Sequence, residues 1–143
     1  MLGGSGLRKS SEAALLNANY IAARLSGHYN IRYKNANGRV AHELLIDFAQ
    51  FEKSAGLKVP DFAKRLQDYG IHPPTCSWPM STCMLIEPTE SEPLGEVDRF
   101  CEAMIKIREE VEEVITGKQP RDNNIVKNAP HPQAVVVADT WDR

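Results

Sequence analysis

Asp61-Phe-Ala-Lys-Arg-Leu-Gln-Asp-Tyr-Gly-Ile-His-Pro-Pro-Thr-Cys-Ser-Trp-Pro-Met80, followed by Leu85-Ile-Glu-Pro-Thr-Glu-Ser-Glu92, decides the fold. Val59, Phe62, Ala63, Leu66 and Tyr69 recur at helical spacing, so a helix is expected over 59–69. Pro60 is tolerated in its first turn, and Gly70 supplies the left-handed stop. Two short strands are expected next, Ile71–Thr75 and Thr82–Glu87. Pro73 and Pro74 cannot donate to a ladder, which makes the first of these an edge strand or a broken one. Thr89 and Glu92 have capping-box spacing, with Ser91 as a competing cap, before a long amphipathic helix over Leu94–Thr116. Val97, Phe100, Cys101, Met104, Ile107, Val111 and Val114 form its core face, and Gly117 ends it.

Working outward, Ala14, Ala18, Ile21 and Leu25, widened by Leu15 and Ala22, give a first helix over 7–25. His28–Lys34 alternates Tyr29, Ile31 and Tyr33 against polar residues, and Val40–Phe48 is more continuously apolar. Asn35-Ala36-Asn37-Gly38 between them is turn chemistry, so the pair is expected as a hairpin. Ala49–Lys58 shows no period and is expected to be an irregular connection. From Lys118 onward the chain is rich in Asn, Pro and Asp. It is expected to be an extended tail (118–143) beyond a domain of residues 1–117, with one short strand at Ala134–Ala138. The order helix–strand–strand–helix–strand–strand–helix defines an α+β layer.

Composition narrows the function. With 143 residues a single domain is the default. Seventeen basic against nineteen acidic residues leave a net charge of −2, which offers no footprint for nucleic acid. No apolar run approaches the roughly 18–20 residues of a membrane span. The odd set Cys76, Cys83 and Cys101 is expected to consist of reduced thiols acting as small hydrophobes. His72, Cys76 and Cys83 lack the tight spacing of a metal site. No nucleophile-and-base arrangement is signalled, and no strand precedes the short Gly3-Gly4-Ser5-Gly6 run that would make it a phosphate cradle.

The opening stretch, together with Ala14-Leu-Leu-Asn-Ala-Asn-Tyr-Ile21, Gly38-Arg-Val-Ala-His-Glu43, Asp98-Arg-Phe-Cys-Glu-Ala-Met104 and Asn128-Ala-Pro-His131, closely resembles the C-terminal region of the glycine-cleaving P-protein family. These are the pyridoxal-phosphate-dependent glycine decarboxylases of the glycine cleavage system. The resemblance covers nearly the whole chain. It implies the small C-terminal domain of a fold-type-I pyridoxal-phosphate transferase, with an antiparallel or mixed sheet packed by helices. It also implies a parent that decarboxylates glycine and passes the aminomethyl group to the lipoylated H-protein. That parent is expected to be a homodimer, in the mitochondrial matrix of a eukaryote or the cytoplasm of a bacterium. The family's cofactor lysine lies before this region, so the chain is expected to be an internal piece that carries neither catalytic nor cofactor-binding residues.

Four residues remain as candidates for a substrate pocket: His42, Glu43, Thr89 and Glu90. An imidazole beside a carboxylate suits holding a polar group or moving a proton, although neighbours on a strand face opposite sides. Thr89 and Ser91 serve equally as helix caps or as part of an anion-holding cleft. His72 is read either as a cleft-edge imidazole or as a structural one. Arg99 is expected in a surface salt bridge and Arg39 in solvent beside its turn. A different reading of the same chain is a standalone α+β interaction or regulatory module without catalysis.

Overall fold

The computed structural model describes residues 2–140. Helices α1 (Gly3–Leu25), α2 (Ala49–Ala55), α3 (Val59–Asp68) and α4 (Leu94–Ile115) cover a four-stranded sheet of β1 (Asn30–Arg32), β2 (Leu44–Asp47), β3 (Thr75–Cys76) and β4 (Cys83–Ile86). A short α5 (Gln133–Val136) follows near the end. The sheet order is β1-β2-β4-β3 and every neighbouring pair is antiparallel. This is the α+β class expected from the element order.

β2 and β4 form the central ladder, with Leu44 opposite Ile86 and Ile46 opposite Met84. These four side chains share one sheet face and are buried in the main core. α4 completes that core with the stripe read from the sequence, and α1, α2 and α3 all pack against it. Tyr29, Phe48, Phe51 and Phe62 fill the space between sheet and helices, with ring centroids 4.5–6.1 Å apart in tilted and edge-on pairs. The Tyr29 hydroxyl donates to the Met104 carbonyl at 2.7 Å, which satisfies the one polar atom that this aromatic cluster buries.

Several elements differ from the sequence reading. Residues 49–58 are not irregular: α2 occupies most of them. Asp47 Oδ1 accepts the Ala49 N–H at 3.0 Å and opens this helix, and Gly56 at φ +72° closes it. Seven residues are too few to display a helical period. β1 is shorter than expected because Tyr33 adopts φ +57° and swings out, leaving it 72% exposed. The Asn35–Gly38 turn does form, with the Gly38 N–H donating to the Asn35 carbonyl, but inside a long loop rather than at a tight hairpin tip. β3 holds only the edge position because Pro73 and Pro74 precede it without N–H groups. The expected strand at 134–138 is instead a helical turn. α1 begins at Gly3, four residues early, yet its burial starts only at Ala18.

Residues 118–131 contribute to the core's edge. Val126 is fully buried, the Lys127 ammonium reaches Asp61 at 3.0 Å, and Arg121 donates to two carbonyls at the end of α2. The His131 N–H donates to Asp68 at 2.7 Å, and His131 Nδ1 lies 2.7 Å from the other carboxylate oxygen. Asp68 also receives Arg65, whose guanidinium makes a two-pronged pair with Glu110 at 2.7 and 2.9 Å. Burial opposes the charge on Arg65, but the hydrogen bond and charge of Glu110 outweigh it and raise its pKa.

Removing one partner of so buried a pair strands a charge in the interior. Glu110→Ala is expected to lose about 3–5 kcal/mol of unfolding free energy in urea titrations. The double replacement Arg65→Met/Glu110→Leu is expected to lose markedly less. Equal losses would place the cost in packing instead of in the stranded charge.

Candidate functional site

The site candidates gather where the central ladder ends. Carried past Leu44–Ile86, the register would set Glu43 opposite Glu87 and His42 opposite Pro88. Pro88 has no N–H to donate, so the ladder stops and the two chains part. His42 and Glu43 therefore lie in a bend and not in a strand, which removes the opposite-face argument against their acting together. Thr89 and Glu90 follow in the facing loop, both exposed. His42 Nε2 stands 3.9 Å from Glu87 Oε1, with both side chains more than half exposed, a contact worth little in water. Glu43 is half-buried at the mouth of the same bend.

Neither Thr89 nor Ser91 caps α4. The helix follows Pro93, which makes no side-chain cap bond, and the two hydroxyls bond one another at 2.7 Å. An anion site at this helix start is disfavoured by charge, since Glu92 and Glu96 flank it.

Two amides of α1 hold the parted loops. Asn17 Nδ2 donates to the Thr89 carbonyl at 2.9 Å and to the Glu92 carbonyl at 3.3 Å. Asn19 grips Val40 at two points: its Oδ1 accepts the Val40 N–H at 3.0 Å and its Nδ2 donates to the Val40 carbonyl at 2.9 Å. Neither asparagine, nor Glu87, was among the sequence candidates. The available signal was a pair of amides flanking Ala18, which sits in the buried stripe of the helix.

Beside this loop pair lies an open cleft of about 540 Å³, between residues 71–75, the end of β4 and the first turns of α4. Ile71, Val97 and Phe100 give it an apolar floor. Its polar lining comes from His72, Glu87, Glu92, Glu96 and Arg99. Of the four sequence candidates none lines it; Glu87 is the shared wall, touching both cleft and His42. Arg99 is spent on a surface ion pair, donating to Glu96 at 2.7 and 3.0 Å and to the Tyr69 carbonyl at 3.1 Å. Hydrogen bonding from Arg99 holds the Glu96 carboxyl below its usual range. Arg39 is exposed beside the Asn35–Gly38 turn. Among the described residues no group of three His, Cys, Asp or Glu side chains is placed to hold a metal ion, and no helix is long and apolar enough to cross a membrane.

Sheet, helices and loop pair together define a small α+β domain that offers polar loops at one sheet end. The family model for the glycine dehydrogenase C-terminal domain matches residues 10–131, and the chain belongs to that family. It is 53% identical over 143 residues to a glycine dehydrogenase (decarboxylating) of Rhizobium meliloti, covering all of this chain and 15% of the relative. It is 52% identical over 142 residues to the mitochondrial glycine dehydrogenase (decarboxylating) of Dictyostelium discoideum, covering 99% of this chain and 14% of the relative. A mitochondrial glycine dehydrogenase (decarboxylating) 1 of Arabidopsis thaliana is 50% identical over 143 residues, again 14% of its length. The chain thus spans about one seventh of the curated relatives it matches, and corresponds to their C-terminal region.

The thiols carry no sign of activation. Cys83 and Cys101 are fully buried, and burial pushes the Cys101 thiol up to about 11. Cys76 is half-buried and its pKa is raised for the same reason. A maleimide at neutral pH is expected to label Cys76 slowly and Cys83 and Cys101 only after unfolding, as read by mass spectrometry. Rapid native labelling of Cys101 would contradict this packing.

Proposed function

We propose that this chain forms part of a pyridoxal-phosphate-dependent glycine decarboxylase, as the domain that closes and shapes a substrate site whose cofactor is held by other protein. The observation that carries this reading is the sheet end. It presents His42, Glu43, Thr89 and Glu90 on two braced loops, yet has nothing to hold a cofactor.

The described residues do not fit pyridoxal phosphate. The cofactor needs a lysine amine in a cavity and donors for a phosphate. Every lysine except Lys127 is exposed, and Lys127 is bound to Asp61 and the Gly56 carbonyl. The cleft wall carries Glu87, Glu92 and Glu96, which repel a phosphate. What these residues offer instead is shape and polarity at the site's edge: an imidazole, a hydroxyl and two carboxylates for holding a small zwitterion or passing a proton. Covering a cleft also excludes water, which strengthens every polar contact inside it. The same reading implies glycine, a lipoylated H-protein and a second subunit as partners. It places the protein in the mitochondrial matrix of a eukaryote or the cytoplasm of a bacterium.

Two measurements test the proposal. The 143-residue chain with pyridoxal phosphate is expected to exchange no labelled bicarbonate into glycine. In the full-length enzyme carrying this domain, His42→Ala and Thr89→Ala are each expected to lower kcat/KM for glycine roughly ten- to a hundredfold with the cofactor's absorbance band retained. Exchange by the isolated chain, or unchanged kinetics in both variants, would overturn it.

A further inference from the structure

We propose that Asn17 and Asn19 are positioning residues that set the spacing of the two site loops, an inference that rests on the functional reading just given. α1 turns about 100° per residue. Ala18 is fully buried, so its neighbours on either side leave the helix along the two flanks of the buried stripe. Asn19 leaves toward Val40, two residues before His42. Asn17 leaves toward Thr89 and Glu92, the two ends of the turn that displays Glu90 and Ser91. The distance between the loops is then fixed by the helix that lies between the two amides.

The chemistry of each grip is specific. Val40 receives from Asn19 both a donor and an acceptor, the two bonds that a neighbouring strand would have given it. The same Nδ2 also donates to the Leu15 carbonyl at 2.8 Å, which holds the amide plane in place. Asn17 uses its amide only as a donor, to two carbonyl oxygens. A carboxylate at position 17 would face two acceptors and repel both. At position 19 it would keep the bond from the Val40 N–H and lose those to the Val40 and Leu15 carbonyls.

These differences give the test, made in the full-length enzyme that carries this domain. Asn17→Ala and Asn17→Asp are expected to lower kcat/KM for glycine to similar extents, at least tenfold. Asn19→Asp is expected to fall between the parent and Asn19→Ala. The double variant Asn17→Ala/Thr89→Ala is expected to be no more impaired than the worse of its single variants, because the amide acts through that loop. The cofactor band and the melting temperature report whether each variant is intact; should Asn17→Ala not accumulate, Asn17→Ser, which keeps one donor, replaces it. Asn17 and Asn19 variants within twofold of the parent, alongside impaired His42→Ala and Thr89→Ala, would overturn the positioning role and leave the functional reading standing. Parental kinetics in all four would remove both. Multiplicative losses in the double variant would show that Asn17 acts independently of the loop and would likewise overturn the inference.

Discussion

The antiparallel register of Leu44–Asp47 against Cys83–Ile86 is the constraint on which the rest depends. It places Leu44, Ile46, Met84 and Ile86 on one face, where α4 and the aromatic cluster bury them. A slip of one residue would turn that whole set away from the helices. The same register also decides where the chain's polar chemistry appears. Because β2 begins where β4 ends, the bend at His42 and the loop at Thr89 must leave from one end of the sheet. Pro88 then ends the ladder at a defined point, so the two segments are free of strand geometry but still side by side. Core packing and site geometry are thus consequences of a single pairing.

Charge is used differently in the two halves of the molecule. Toward the far end of α3, Arg65, Asp68, Glu110 and His131 form a largely buried set. In that set Arg65–Asp68 is a contact within α3, and the other two tie separate segments together. Arg65–Glu110 joins α3 to α4, and His131–Asp68 fastens the chain beyond α4 to α3. Burial raises the Asp68 pKa, but hydrogen bonds from His131 and Arg65 prevail and hold its carboxyl below the ordinary range. At the sheet end the ionisable groups are exposed and loosely paired, as in His42 with Glu87. Such groups remain available to a ligand or to a neighbouring protein surface, whereas those of the buried set are committed to structure.

Much of this was legible in the sequence, and the exceptions have physical causes. The core faces of α3 and α4 and the left-handed glycines behind them follow directly from period and turn chemistry. Helix α2 was not legible because seven residues span only two turns, and the clues were its punctuation, Asp47 and Gly56. The boundaries of β1 and β2 are overextended in the sequence because period-two alternation runs through Tyr33 and the more continuous apolar stretch starts at Val40. A left-handed backbone at Tyr33 and a side-chain partner for Val40 end the strands earlier. The site suffered in the same way. His42, Glu43, Thr89 and Glu90 are candidates because the family resemblance points to their peptides. Asn17 and Asn19 were missed because their role lies in long-range bonds to backbone, which no local pattern encodes. Of the two roles open to Thr89 and Ser91, the cap fails although Thr89 and Glu92 have capping-box spacing, because the helix starts beyond them, after Pro93.

The account's central claim is that this domain lends its sheet-end loops to a site assembled with protein outside the chain. Amide hydrogen exchange on the full-length enzyme, with and without saturating glycine, tests it most directly. Slower exchange on glycine binding, concentrated in residues 40–43 and 89–92 with the α3 and α4 core unchanged, is the result the account predicts. Exchange in those two loops that is indifferent to glycine would contradict it.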